Sequence, residues 1–189
     1  MQKYNYDIFL QGTIVDLVVL SAEIVENTNW YRWFNDETNL NNMQKHYFPN
    51  TKAMQHKLFQ NEIEGNSSKL QLGIVFKEDN TFIGTISLNN IDYISRKGEI
   101  SGFIGEKKYQ SMKPFLEANK ILLKHAFNQL NLRRIYGGSL SQNVISFYCR
   151  LLGFKSEGVL VEDVFKDGQY RDVYNIGLLK SDCSFLEDN

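Results

Sequence analysis

The stretch IGEKKYQSMKPFLEANKILLKHAFNQLNLRRI, residues 104–135, contains in order a strand end, a polar connection, a helix and the start of another strand. The helix is read from Leu116, Ile121, Leu122, Leu123, Ala126, Phe127 and Leu130, which recur at the spacing of one helical face. Pro114 suits the first turn, where its missing N–H leaves nothing unpaired. Downstream, RRIYGGS reads as a short strand, and a second helix follows with Asn143 as its cap and Gly153 as its stop. Two further strands run through Val164 and from Tyr174 to Leu178. Upstream, LQLGIVF, TFIGTISLNNIDY and GEISGFIG are three strands joined by short polar turns, an antiparallel meander. The first third has a strand near Gly12 to Leu20 and then apolar residues at helical spacing between Asn29 and Ile63. A meander followed by strand, helix, strand and helix predicts an α/β (α+β) fold. Its central sheet is mostly antiparallel with one parallel strand pair, flanked by helices.

With 189 residues and 22.0 kDa, one domain spanning 1–189 is expected. Lys plus Arg number 21 against 22 Asp plus Glu, for a net charge of −1, so there is no global drive toward nucleic acid or anionic lipid. Any anion site must be local. No apolar run is long enough to span a membrane, and MQKYNYDIF lacks the apolar core of a signal peptide, so a cytoplasmic protein is expected. Cys149 and Cys183 have no CxxC spacing and the histidines are scattered at 46, 56 and 125, so neither a disulfide framework nor a metal site is expected.

A strand that feeds a helix N-terminus through a loop makes an anion cradle, because the first helical N–H groups lack internal partners and the helix dipole adds positive potential. Gly105 to Glu117 has that layout. Together with QNVISFYCRLLGFKSEG and GQYRDVYNIGLL, the opening stretch resembles the GNAT acetyltransferases of the RimJ/RimL-like branch. The resemblance runs from about Leu70 to Leu179, with weaker support from GTIVDLVVLS and NWYRWFND. It implies acetyl-CoA as co-substrate. The family's pyrophosphate loop reads Gln or Arg, two residues, Gly, one residue, then Gly or Ala. Gln110 stands at the first position, followed by Ser111 and Met112, but Lys113 and Phe115 replace the two small residues around Pro114. Glycine there lets backbone approach phosphate and adopt dihedrals closed to other residues, so Lys113 either compensates with its charge or the loop has ceased to bind CoA in the ordinary way. The resemblance further implies that backbone groups near Phe103, Ile104 and Gly105 polarise the thioester, and that Asn143 contacts the pantetheine arm, a role compatible with capping.

An attacking amine must lose a proton to a carboxylate or histidine within reach. Glu99 is the first candidate, because related enzymes often place a glutamate at the start of this central strand; His46, in the aromatic segment HYFPN, is the second. His125 lies within the helix and reads as structural. Many family members place a tyrosine four residues before the glycine of the GF motif to return a proton to the leaving thiolate. Here that position is Cys149, and Tyr148, about 100° away around the helix, is the candidate acid. The segment from Trp30 to Asp36, with Tyr47 and Phe48, is dense in aromatics, which reads either as core or, with Trp30, Trp33, Asn35 and His46, as an acceptor pocket suited to a sugar or nucleotide. Tyr170 and Asp172 match a family feature that shapes that pocket or supports the sheet. The expected activity is acetyl transfer to a primary amine of a small metabolite, an amino sugar or sugar nucleotide first. Acetylation of a protein N-terminus and a catalytically silent binding module are the alternatives. The expected partners are a small-molecule amine and a second copy of the chain in a homodimer, with neither nucleic acid nor membrane.

Overall fold

A computed structural model describes residues 5–40 and 48–186. Eight strands form one sheet in the order β1-β2-β3-β4-β5-β6-β8-β7. They are β1 (Ile8–Leu10), β2 (Val15–Val19), β3 (Leu70–Phe76), β4 (Thr81–Asp92), β5 (Lys97–Ile104), β6 (Arg134–Ser139), β7 (Lys155–Lys166) and β8 (Gln169–Leu179). Every pairing is antiparallel except that of β5 with β6. The meander, the crossing helix and the single parallel pair therefore match the reading of the sequence. The three-residue strand β1 was not anticipated.

Between β2 and β3 lie the short helices α1 (Ala22–Asn27), α2 (Trp30–Trp33), α3 (Glu37–Leu40) and α4 (Lys52–Leu58), the last running into a π turn over Phe59–Ile63. Side-chain caps open two of them. Ser21 Oγ accepts from Ile24 N at 3.3 Å, and Thr51 Oγ1 accepts from Met54 N at 3.1 Å. The long helix α5 (Met112–Asn128) crosses from β5 to β6, and α6 (Gln142–Leu152) joins β6 to β7. The N-cap of α6 is Ser141, so the expectation that Asn143 caps it is corrected: Asn143 is the second residue of the first turn and faces solvent. Gly153 closes α6 in the left-handed region at φ 77°, as its glycine predicted.

Alternation along the strands builds two cores. On one face, Leu72, Ile74, Ile86, Leu88, Ile100 and Ile104 pack under Ala118, Leu122, Leu123, Ala126 and Phe127 of α5. On the other, Val18, Val75 and Phe82 pack under Ile24, Val25, Trp30, Trp33 and Phe59. Glu117 fixes α5 to the sheet's far side, its carboxylate accepting from the N–H groups of Thr13, Ile14 and Val15 at 2.9, 2.7 and 2.8 Å. Among the described residues no helix is long and apolar enough to cross a membrane.

Candidate active site

The parallel pairing of β5 with β6 stops after three residue pairs, Lys97↔Arg134, Gly98↔Ile135 and Glu99↔Tyr136. Beyond that point β6 follows β8 through Ser139 while β5 follows β4 through Ile104, so the sheet forks. A cavity of about 650 Å³ opens at the fork. One wall consists of Ile100, Gly102 and Ile104 with Gly137, Gly138 and Ser139; Phe115, Val144 and Tyr148 close it from the helices, and Gln71, Ser87, Asn89, Glu99 and Ser101 extend it across the sheet.

Strand alternation decides which backbone groups face the opening. Gly105 N–H donates to Ile83 O at 2.8 Å, on the β4 side. Residues of the same parity, Phe103 included, turn their polar groups toward β4, whereas Ile100, Gly102 and Ile104 turn theirs toward the fork. Of the backbone positions expected from the sequence, Ile104 thus faces the opening, Phe103 contributes its ring to the wall, and Gly105 is corrected to a structural role. A Cβ on Gly105 would overlap the indole of Trp33, so its glycine makes room for that ring. Gly102, Gly137 and Gly138 line the cavity unforeseen.

The loop after β5 is held from inside. Gln110 Nε2 donates to Ile104 O at 3.0 Å and to Asn39 Oδ1 at 2.7 Å, while Asn39 Nδ2 donates to Gly105 O at 3.1 Å. Gln110 therefore braces the loop instead of presenting its amide to a ligand, and buried Asn39, which no sequence pattern marked, is the centre of the brace. Salt bridges from Lys107 to Asp36 at 2.8 Å and from Lys108 to Asp79 at 3.5 Å pin its outer side. Ser111 is the N-cap of α5 and lines the cavity. The N–H groups of Met112 and Lys113 have no helical partners, while Pro114, buried, has none to offer. Lys113 and Phe115 lie in regular helix with negative φ, so the expected demand for glycine dihedrals at these positions does not arise. Lys113 is exposed beside the free N–H groups, and Phe115 packs on Phe147 with ring centroids 5.4 Å apart. These features fit the phosphate and pantetheine parts of CoA: open strand backbone, a braced loop and a cation at a helix N-terminus.

Glu99 sits at the last paired position before the fork, and Asn90 Nδ2 donates to its Oε2 at 2.8 Å. Tyr148 lines the cavity from α6, whereas Cys149 does not. Burial pushes the Tyr148 phenol well above the ordinary tyrosine range, which the neighbouring Asn119 amide only partly offsets. A phenol less acidic than a thiol donates a hydrogen bond to a thiolate more readily than it gives up its proton. Asn143, exposed, lies outside the cavity lining.

The aromatic segment is corrected. Trp30 is completely buried and Trp33 is 4% exposed, in the core beneath the short helices. Trp33 stacks on Phe82 at 5.2 Å and its Nε1 donates to Glu106 Oε1 at 3.0 Å, so neither indole offers a face to an acceptor. Asn35 is tied to Asn50, donating to its carbonyl at 2.6 Å, away from the cavity. Among the described residues of the segment, Phe34 lines it. His46 and Tyr47 lie outside the described residues. His125 packs edge-on against Phe9 at 5.1 Å, and burial lowers its pKa. Tyr170, exposed, packs edge-on against Phe165 near the tip of the β7–β8 hairpin, and Asp172 Oδ1 accepts from Glu162 N at 2.9 Å within that hairpin. Among the described residues no three His, Cys, Asp or Glu side chains are grouped to hold a metal.

A family model described as an acetyltransferase (GNAT) domain matches residues 17–155. YdaF of Bacillus subtilis (strain 168), named a ribosomal N-acetyltransferase, is 28% identical over 116 residues, covering 59% of this chain and 60% of YdaF. The spermidine N(1)-acetyltransferase of Escherichia coli (strain K12) is 32% identical over 91 residues, covering 47% of this chain and 48% of that protein. The chain thus spans 60% and 48% of the lengths of these two relatives. The crystal structure of spermidine N-acetyltransferase from Vibrio cholerae in complex with CoA and spermine superposes with a TM-score of 0.78 over 89% of this chain and 96% of that one, at 23% identity, a likeness of fold. With the family model covering most of the chain, and with the sheet forking beside a helix N-terminus, this chain belongs to the GNAT acetyltransferase family.

Proposed function

We propose that the protein transfers an acetyl group from acetyl-CoA to a primary amine of a small polar metabolite. The observation that carries this reading is the fork between β5 and β6, which brings unpaired strand backbone and the Glu99 carboxylate to one cavity. Acetyl-CoA supplies the activated acyl group as a thioester. The outward N–H groups of β5 are preorganised donors toward a carbonyl oxygen that gains negative charge, a contribution made without reorganisation. Glu99, oriented by Asn90, accepts the amine proton directly or through one water. The Tyr148 hydroxyl, on the α6 wall, donates a hydrogen bond to the departing sulfur.

The row of hydroxyl and amide groups formed by Gln71, Ser87, Asn89 and Ser101 supports a hydroxyl-bearing acceptor such as an amino sugar or sugar nucleotide. The protein acts as a homodimer through the edge strand β7, where Val159, Leu160, Val161 and Phe165 are 46, 47, 75 and 51% exposed. Calorimetric titration with acetyl-CoA and CoA, followed by thiol release over amino sugars, sugar nucleotides and peptides, tests the activity. Saturable acetyl-CoA binding with amine-dependent thiol release is the expected result; no binding overturns it. A monomeric mass by light scattering at micromolar concentration overturns the dimer.

A further inference from the structure

We propose that Lys69 reads an anionic group, a carboxylate or a phosphate, on the same small molecule whose amine is acetylated beside Glu99; this rests on the acetyl-transfer reading above. Lys69 immediately precedes β3, whose first pair is Leu70↔Leu88, so in register it falls opposite Asn89 of β4. Asn89 in turn pairs with Glu99 of β5. The three side chains therefore form one row on one sheet face, with Lys69 and Glu99 two strand spacings, about 10 Å, apart. Both line the cavity at the fork, and among the described lining residues they are the only charged side chains.

Most lysines with a defined partner in this molecule pair with a carboxylate: Lys52 with Glu26, Lys77 with Asp16, Lys107 with Asp36, Lys108 with Asp79 and Lys155 with Asp182. Lys69 differs. Among the described residues its ammonium has no ion pair or hydrogen bond, only the longer-range field of Glu62, although it is half-buried and burial lowers its pKa. A cation that has lost part of its hydration shell without gaining a counter-ion favours an entering anion, because a charge-assisted hydrogen bond restores what burial removed. The middle of the row cannot supply that anion: the Asn89 amide donates to Ser87 Oγ at 3.1 Å and to Ser101 Oγ at 3.0 Å. An acceptor that spans the row places its amine at the carboxylate end and its negative group at the ammonium end. A polyamine would set a second ammonium against Lys69, a like-charge contact without compensation.

The test is the ratio of kcat/KM within matched acceptor pairs, measured by thiol release. The pairs are 4-aminobutyrate with putrescine for carboxylate, and glucosamine 6-phosphate with glucosamine for phosphate. The expected result is a preference of tenfold or more for the anionic member of at least one pair, and that pair identifies the anion. Lys69→Met should cut the ratio at least tenfold, Lys69→Arg should keep it, and Lys69→Glu should invert it. A purely structural lysine would depress both members equally and leave the ratio unmoved, which overturns the proposal, as does wild-type preference for putrescine and glucosamine. If no acceptor is turned over, the acetyl-transfer reading fails. The same ratios, read as dissociation constants by NMR titration without CoA, then decide the role of Lys69. A preference for the anionic member that Lys69→Met abolishes upholds it, and its absence overturns it.

Discussion

One face of the β3–β4–β5 meander is core at one end and site at the other. Toward one end, Val75, Phe82 and Phe103 meet the short helices, and Trp30 and Trp33 fill the space between. Toward the other, the same three strands present Gln71, Ser87 and Ser101, then Asn89 and Glu99, to an open cavity. The β3–β4 ladder shifts register between Ile74 and Val75, which turns Phe82 onto the face of Ser87 and Asn89, so the difference rests on side-chain chemistry a few residues along each strand. Apolar residues drew a roof of helices onto one half, because leaving them wet costs about 25 cal/mol per Å². The polar half has hydroxyl and amide groups that bond one another, as Ser87 does with Ser101 at 2.9 Å, and needs no roof. The aromatics of the roof thus mark where the polar surface of the cavity ends.

Three substitutions can break or sharpen this contrast. The largest effect belongs to the roofed half: Trp30→Ala, at a completely buried indole, should destabilise the fold by about 3 to 5 kcal/mol in chemical denaturation. A loss below ~1 kcal/mol would mean that the roof is loosely seated. In the open half, Glu99→Gln should lower turnover about a hundredfold, equivalent to ~2.7 kcal/mol of barrier, with the acetyl-CoA dissociation constant nearly unchanged. Full activity would remove Glu99 as the base. Ser101→Ala, which deletes an exposed hydroxyl on the same strand, should cost less than ~1 kcal/mol of stability and show itself in acceptor KM. Should it prove as damaging to the fold as Trp30→Ala, the polar half is structural and the two halves are alike.

Much of this was legible in the sequence because it is local. The apolar, strand-forming runs LQLGIVF and TFIGTISL between short polar turns, the helical stripe from Leu116 to Leu130 and the left-handed stop at Gly153 each need only a few neighbouring residues to be read. The fork was expected only by resemblance, since its cause, the parting of β5 and β6 after Glu99 and Tyr136, joins residues far apart in the chain. Lys69 escaped notice because it follows a polar loop, and only pairing across β4 brings it into line with Glu99. Density of aromatics could not separate core from pocket in Trp30 and Trp33; the slot left by Gly105 decides it, and that slot exists only once β5 and α2 have met. Asn143 lost its capping role to Ser141 because the helix begins two residues earlier, within the uncertainty of any boundary read from sequence.

The three amides gathered by Glu117 carry a consequence for how the chain assembles. They join residues 104, 103 and 102 positions apart, spanning the short helices and the meander. Closing so long a loop is costly in chain entropy, and contacts of this kind form late when a nearer nucleus is available. The meander β3–β4–β5, with its short turns, is that nearer nucleus. Docking of the amino-terminal strands against α5 then completes the molecule, so the amide protons of Thr13, Ile14 and Val15 act as a gauge of seating. Their exchange with deuterium reports when the helix that bears the braced loop is locked to the far edge of the sheet.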